Sequence, residues 1–278
     1  MGVVEFTALV FATSLFAGLL GALTGLGGGV VIVPVLALLF KVDIRYAIGA
    51  SLVSVIATSS GAAVAYVREG LSNIRIGMFL EIATTLGALF GAYLTTKVST
   101  RYIAIIFGVV LLYSAYSSLR KIPQDAAPSA ADPLATKLHL NGSYLAETGQ
   151  ESYSAQRVPL GFGIMLGAGT LSGLLGIGSG AVKVLAMDHA MRLPFKVSTT
   201  TSNFMIGVTA AASAGVYLSR GYIEPELAMP VMLGVLGGSI VGSRILVKAR
   251  VRTLKILFTL VIVALGVEMI YSGCAGRI

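Results

Sequence analysis

Long apolar stretches separated by short polar ones run through the whole chain. They cover residues 3–40, 46–67, 75–96, 102–119, 158–190, 197–218, 227–247 and 253–272. A helix needs about 20 apolar residues to cross a bilayer's hydrocarbon core, and most of these stretches have that length. The first and fifth are too long for one crossing. Each is interrupted by glycines, at Gly25-Leu-Gly-Gly-Gly29 and Gly176-Ile-Gly-Ser-Gly180. Glycine at that density disfavours an unbroken helix. The pattern predicts an all-α integral membrane fold of about eight hydrophobic segments.

Those segments fall into two sets of four. Displacing the sequence by 151 residues superposes Gly18 on Gly169, Gly25 on Gly176, Gly27 on Gly178 and Gly29 on Gly180. The register continues without a gap through Ser51 and Ser202, Tyr66 and Tyr217, Lys97 and Lys248, and Arg101 and Arg252. Glycine matches alone would carry little weight in a Gly-rich chain, but a register held through Ser, Tyr, Lys and Arg predicts an internal repeat. The expected organisation is a first transmembrane repeat over 1–119, a polar extramembrane linker over 120–157, and a second repeat over 158–278. The first segment of each repeat is broken at its Gly-rich motif. The linker holds Pro123, Pro128 and Pro133 among Asp, Glu, Ser and Gln, a composition that predicts flexibility. Parallel and inverted copies both remain open. Taking the basic loop 244–255 as cytoplasmic, the Lys/Arg balance favours the inverted arrangement.

Composition narrows the class. The chain is 56% hydrophobic and 12% charged, with mean hydropathy +0.89, against about 25% charged in a typical soluble domain. The net charge of +8 does not point to nucleic acid, because the basic residues flank apolar stretches, as at Lys97 and Arg101 or Lys248 to Lys255. That is the distribution of topology signals and headgroup contacts. The expected partners are the bilayer and a small anion, in a multi-pass protein of the cell membrane; a homo-oligomer is compatible with the sequence. With one cysteine, two histidines and no nucleotide-binding loop, it calls for no enzyme activity, cofactor or metal.

The candidate chemistry lies at the breaks. A helix that restarts inside the membrane presents backbone N–H groups without intrahelical partners, and with the positive helix end these can hold an anion. The candidate substrate-binding residues there are Gly27, Gly28 and Gly29 in the first half and Gly178, Ser179 and Gly180 in the second. The half-helices are expected at Val30–Phe40 and Ala181–Ala190. Ser51 and the polar run containing Thr200, Thr201, Ser202 and Asn203 add hydroxyl and amide donors. Helical Ser and Thr also commonly bond back to their own backbone. Lys183 falls in the first turn of the second half-helix, where its repeat counterpart is Ile32. An intramembrane lysine is costly and marks function by default; attraction of an anion, pairing with a carboxylate such as Asp188, or snorkelling to the interface would each account for it. Glu81, near the middle of the third segment, is the candidate for a coupling proton.

The stretch from Gly18 to Pro34, with Gly25-Leu-Gly-Gly-Gly29 at its centre, resembles the N-terminal signature of the TauE/SafE sulfite exporter family. Ile48-Gly-Ala-Ser-Leu52 is similar to that family's second conserved stretch, and Gly173–Gly180 with Thr200-Thr-Ser-Asn203 resembles the repeated form of both. The resemblance spans nearly the whole chain apart from the linker. It implies a transporter exporting sulfite, sulfoacetate or a related organosulfonate. A passive anion channel on the same scaffold, or a membrane enzyme or assembly factor, are the alternatives. The halves differ where Leu185 stands opposite Pro34 and Ser179 opposite Gly28.

Overall fold

The computed structural model describes residues 2–24, 28–68, 73–119, 132–146, 149–246 and 251–277. Apart from one hairpin their regular structure is helical: α1 (Val3–Thr24), α2 (Gly29–Leu38), α3 (Ile44–Arg68), α4 (Ile74–Leu94), α5 (Thr100–Leu119), α6 (Pro133–Lys137), α7 (Val158–Leu175), α8 (Gly180–Leu185), α9 (Phe195–Ser219), α10 (Pro225–Leu246) and α11 (Val251–Cys274). Ile74–Leu94, Thr100–Ser117 and Val158–Leu175 are long and apolar enough to cross a membrane, and shorter apolar helices accompany them. Each long apolar stretch holds two helices rather than one. α8 runs into a π-helical turn at Ala186–Ala190. The starts of α2 and α8, α3 and α9, α4 and α10, and α5 and α11 each lie 151 positions apart.

The distribution of polarity is that of a protein whose solvent is lipid. Met78, Ile82, Leu86, Phe90 and Tyr93 line an exposed face of α4, and Tyr102, Val109, Tyr113 and Tyr116 one of α5. The recurrence at three and four residues marks a single helix face. In water such a surface would be an adhesive patch. Inside, by contrast, Ser51, Ser54, Thr84, Ser172, Lys183, Ser202, Thr209 and Ser213 are fully or almost fully buried.

Four pairings build the bundle: α1 on α10, α4 on α7, α5 on α11, and α3 on α9. Glycine sets the separation in the first two. A methyl at Gly173 would lie 2.0 Å from the Ala88 carbonyl oxygen, and one at Gly238 would lie 1.9 Å from that of Leu15. Gly87 and Gly91 are likewise against the backbone of α7. Their role is close packing, in the small-residue manner of membrane helices.

The second half of the linker departs from the expectation of a flexible tether. Residues 142–146 (β1) and 149–153 (β2) pair antiparallel, with Gly142 opposite Tyr153. Asp132 caps α6 through the Leu134 amide and also accepts from the Val158 amide at the start of α7. Ala135, Leu140 and Ala155 are buried in one cluster with Ile76 and Leu80 of α4. Few apolar residues suffice, because the unit docks on an existing surface instead of building its own core.

Asn73 is the fastener. Its side-chain oxygen accepts from the Ile76 amide and caps α4, while its amide nitrogen donates to the Tyr153 hydroxyl at 2.8 Å and the Leu140 carbonyl at 3.3 Å. Asn73→Ala is expected to cost about 1–2 kcal/mol and to expose the hairpin to protease, as thermal unfolding and limited proteolysis would read. Burial raises the Tyr153 phenol pKa, and the Asn73 bond acts the other way. The docked hydroxyl's contribution is therefore whole below the unfolded tyrosine value of about 10 and is lost as pH rises through the folded one.

Candidate functional site

Gly29, at the described end of the first glycine break, comes against Gly176 of the second beside Ser51 of α3. α7 ends at Gly176, whose φ of +67° lies in the left-handed region, and Gly178 follows at +69°. These angles cost glycine little and turn the chain sharply before α8. The Ser51 hydroxyl of α3 donates to the Gly176 carbonyl at 2.8 Å. Gly29, at the start of α2, sits against the same pair, since a methyl there would lie 2.5 Å from Ser51 Oγ and 3.1 Å from the Gly176 oxygen. The Ser202 hydroxyl of α9 donates to the Gly180 carbonyl at 3.3 Å. A methyl on Gly178 or Gly180 would strike Ile206 of α9. Gly28 faces Val235 of α10, and Gly27 lies outside the described residues.

Ser179, where the first half has Gly28, adopts φ +47°. Its buried hydroxyl has no hydrogen-bond partner among the described residues. Left-handed backbone at a non-glycine residue together with an unpaired buried hydroxyl stores strain of about 1–3 kcal/mol. Ser179→Gly is expected to raise stability by about 1 kcal/mol. An unchanged or lower unfolding midpoint would remove strain from the account.

The polar run on α9 does not act as one surface. Successive helix residues point about 100° apart, and the run divides accordingly. Ser202 faces the break, Thr201 accepts from the Asn73 amide at 3.1 Å, and Thr200 donates back to the Val197 carbonyl at 3.2 Å. Asn203 is half-buried.

Lys183 is 0% exposed and does not snorkel. Its ammonium donates to the Thr209 hydroxyl of α9 at 2.6 Å, and that hydroxyl lies 2.7 Å from Oε1 of Glu81 on α4. Thr85 also donates to Glu81 Oε1, at 3.2 Å. Asp188 is instead beside His189, at 3.9 Å. The lysine and the carboxylate singled out in the sequence are thus joined by a residue the sequence reading passed over. Two signals pointed to Thr209: it lies seven residues, or nearly two turns, beyond Ser202, and its counterpart at 151 positions is Thr58.

Farther along α9, Tyr217 donates to the Gly173 carbonyl at 3.0 Å and lies 2.8 Å from Thr95 Oγ1. A separate cavity of about 390 Å³ lies between α5, α7 and the α8–π turn, lined by Tyr113, Tyr116, Ile164, Val182 and His189 among others; Lys183, Thr209 and Glu81 do not line it.

The family described as sulfite exporter TauE/SafE matches residues 10–269. The chain belongs to that family. Among its TauE/SafE-like relatives is the probable membrane transporter protein YunE of Bacillus subtilis (strain 168), 28% identical over 95% of this chain and 97% of that protein. The probable membrane transporter protein YdhB of the same organism is 27% identical over 85% of this chain and 89% of its own length. A probable membrane transporter protein of Xylella fastidiosa (strain 9a5c) is 23% identical over 94% and 95%. No solved structure matches significantly. This TauE/SafE member is a multi-pass membrane protein of a transporter family.

Proposed function

We propose that the protein is a secondary transporter that exports a small sulfur-containing anion, such as sulfite, sulfoacetate or a related organosulfonate, across the plasma membrane. The observation that carries the reading is Lys183, a fully buried cation one turn past a break in the helix that bears it. A charge so placed in a membrane interior belongs to a substrate or ion path. The breaks themselves supply polar backbone without carboxylates, as an anion site requires.

The 151-residue offset between helix starts and the reciprocal pairing of α1 with α10 and α7 with α4 support a duplicated architecture of two four-segment repeats joined by the linker. In such a transporter the substrate sits between the repeats, and movement of one against the other exposes it to each side in turn. On this reading that place is assigned to Gly28, Gly29, Ser51, Gly178, Ser179, Gly180, Ser202 and Lys183. The family description names sulfite export, and one buried cation close to a break that carries the Ser179 hydroxyl, unpartnered among the described residues, suits a tetrahedral or pyramidal oxyanion.

The test is efflux of sulfite from proteoliposomes containing the full chain. Saturable efflux, competed by sulfonates and thiosulfate, is the expected result. Flux that fails to saturate and carries a steady current would replace the transporter with a channel. No flux of any of these anions would overturn the reading.

A further inference from the structure

We propose that Lys183, Thr209 and Glu81 form a coupling element in which one proton on Glu81 and one substrate anion beside Lys183 bind together. The inference rests on the transport reading above and adds what the site exchanges along with its anion.

Among the described residues, the hydrogen-bonding capacity of the three side chains is not filled. An ammonium has three donors, and the contact seen for Lys183 Nζ is the one to Thr209. At the other end, Glu81 Oε1 accepts from Thr209 and Thr85, while Oε2 is buried with no partner among the described residues. Glu81 as a whole is 8% exposed. A carboxylate oxygen sealed from water and left unbonded is a costly arrangement. A proton or a bound group there removes the cost.

Thr209 allows the two ends to communicate. A hydroxyl accepts from Lys183 but has a single proton to give, and two acceptors are within reach: Glu81 Oε1 at 2.7 Å and the Met205 carbonyl at 2.9 Å. With Glu81 ionised, the proton goes to the carboxylate and the positive and negative charges offset one another through the bridge. An anion entering then would add an unbalanced negative charge to a region of low dielectric. When Glu81 takes a proton on Oε2, the carboxyl becomes neutral and the hydroxyl is free to turn to Met205. Lys183 is then the uncompensated charge, and an anion compensates it. Each ligand promotes the other by the same factor.

The sign follows from the charges. Proton and anion occupy the site together rather than in exchange, so they cross together. Net direction is set by the two gradients, and export proceeds where the internal excess of anion outweighs an inward proton gradient.

Among the described side chains, neighbouring charges leave this balance to the trio. On the elements packed around it, Asp188 and the exposed His189 lie beside each other, and Tyr217 is bonded to Gly173 and Thr95. Arg45 donates to the carbonyls of Thr95 and Val98. Arg75, Arg157 and Arg220 stand at helix ends.

Methanesulfonate is the probe, because it stays fully ionised at every working pH and any proton taken up belongs to the protein. Calorimetric titration of the full chain in buffers of different ionisation enthalpy is expected to show uptake of about one proton per anion, with Kd rising about tenfold per pH unit once Glu81 is ionised in the empty protein. In Glu81→Gln the uptake is expected to vanish and binding to lose its pH dependence. Binding to the unaltered protein without proton uptake would overturn the coupling and leave the anion site standing. Failure of methanesulfonate, sulfite and thiosulfate alike to bind would overturn the transport reading, and this inference with it.

Discussion

Lys183→Met is expected to destabilise the protein by about 3–5 kcal/mol, and the double variant Lys183→Met/Glu81→Gln to recover most of that loss. Removing the lysine leaves Glu81 buried against α9 with Thr209 as its bridge to nothing. The penalty comes chiefly from the stranded carboxylate and not from the lost bond itself, so it is fullest at high pH and shrinks wherever Glu81 takes up a proton. Replacing the carboxylate by an amide of the same shape removes the stranded charge while keeping an acceptor for Thr85 and Thr209. Unfolding midpoints of the two single variants and the double, compared as a cycle, read the coupling. Additive losses would mean that the two charges do not sense each other. The double variant is expected to fold and yet to bind no anion, separating stability from function.

Gly173→Leu is expected to be the most damaging single substitution in the helix seams, at or beyond the upper end of the roughly 1–3 kcal/mol that overpacking costs. The added atoms would meet the Ala88 carbonyl and the Ala92 amide of α4, which are backbone and cannot rotate away. The helices must then separate along the seam that also carries Gly87, Gly91 and Gly169. Because Tyr217 is bonded to the Gly173 carbonyl, the displacement would reach α9 and the coupling trio. A control lies on the same helix: a methyl at Gly167 meets nothing within 4 Å, so Gly167→Leu is expected to be nearly neutral. The two variants share a helix, a residue change and a change in hydropathy. Equal losses of monodisperse protein on size exclusion would show that apolar bulk, and not the seam, is responsible.

Much of this site was legible in one dimension. Glycine clusters inside apolar stretches specify helix interruptions, because backbone entropy and missing side-chain packing act locally. Lys183 and Glu81 stood out because a charge within an apolar segment is costly wherever the segment packs. The polar run at 198–203 was misleading in one respect. The run was read as a source of donors for an anion, whereas helical rotation sends Thr201 to Asn73 and Ser202 to the Gly180 carbonyl. The second half of the linker departs from a flexible tether for a related reason. Its composition predicted a tether, but Ala135, Leu140 and Tyr153 find their burial on α4, a surface that no window of linker sequence contains.

By itself, then, the sequence determined that the chain is helical and membrane-embedded, where its helices break, and which ionisable groups lie within apolar segments. These follow from local hydropathy, glycine content and charge. Only the tertiary structure decided that Ser51 of one half holds the Gly176 carbonyl of the other, and that Thr209 joins Lys183 to Glu81 across three helices. Such contacts join residues as many as 128 positions apart. Their partners are chosen by how helices cross, and helix crossing is set by glycine seams whose depth appears only when two backbones meet.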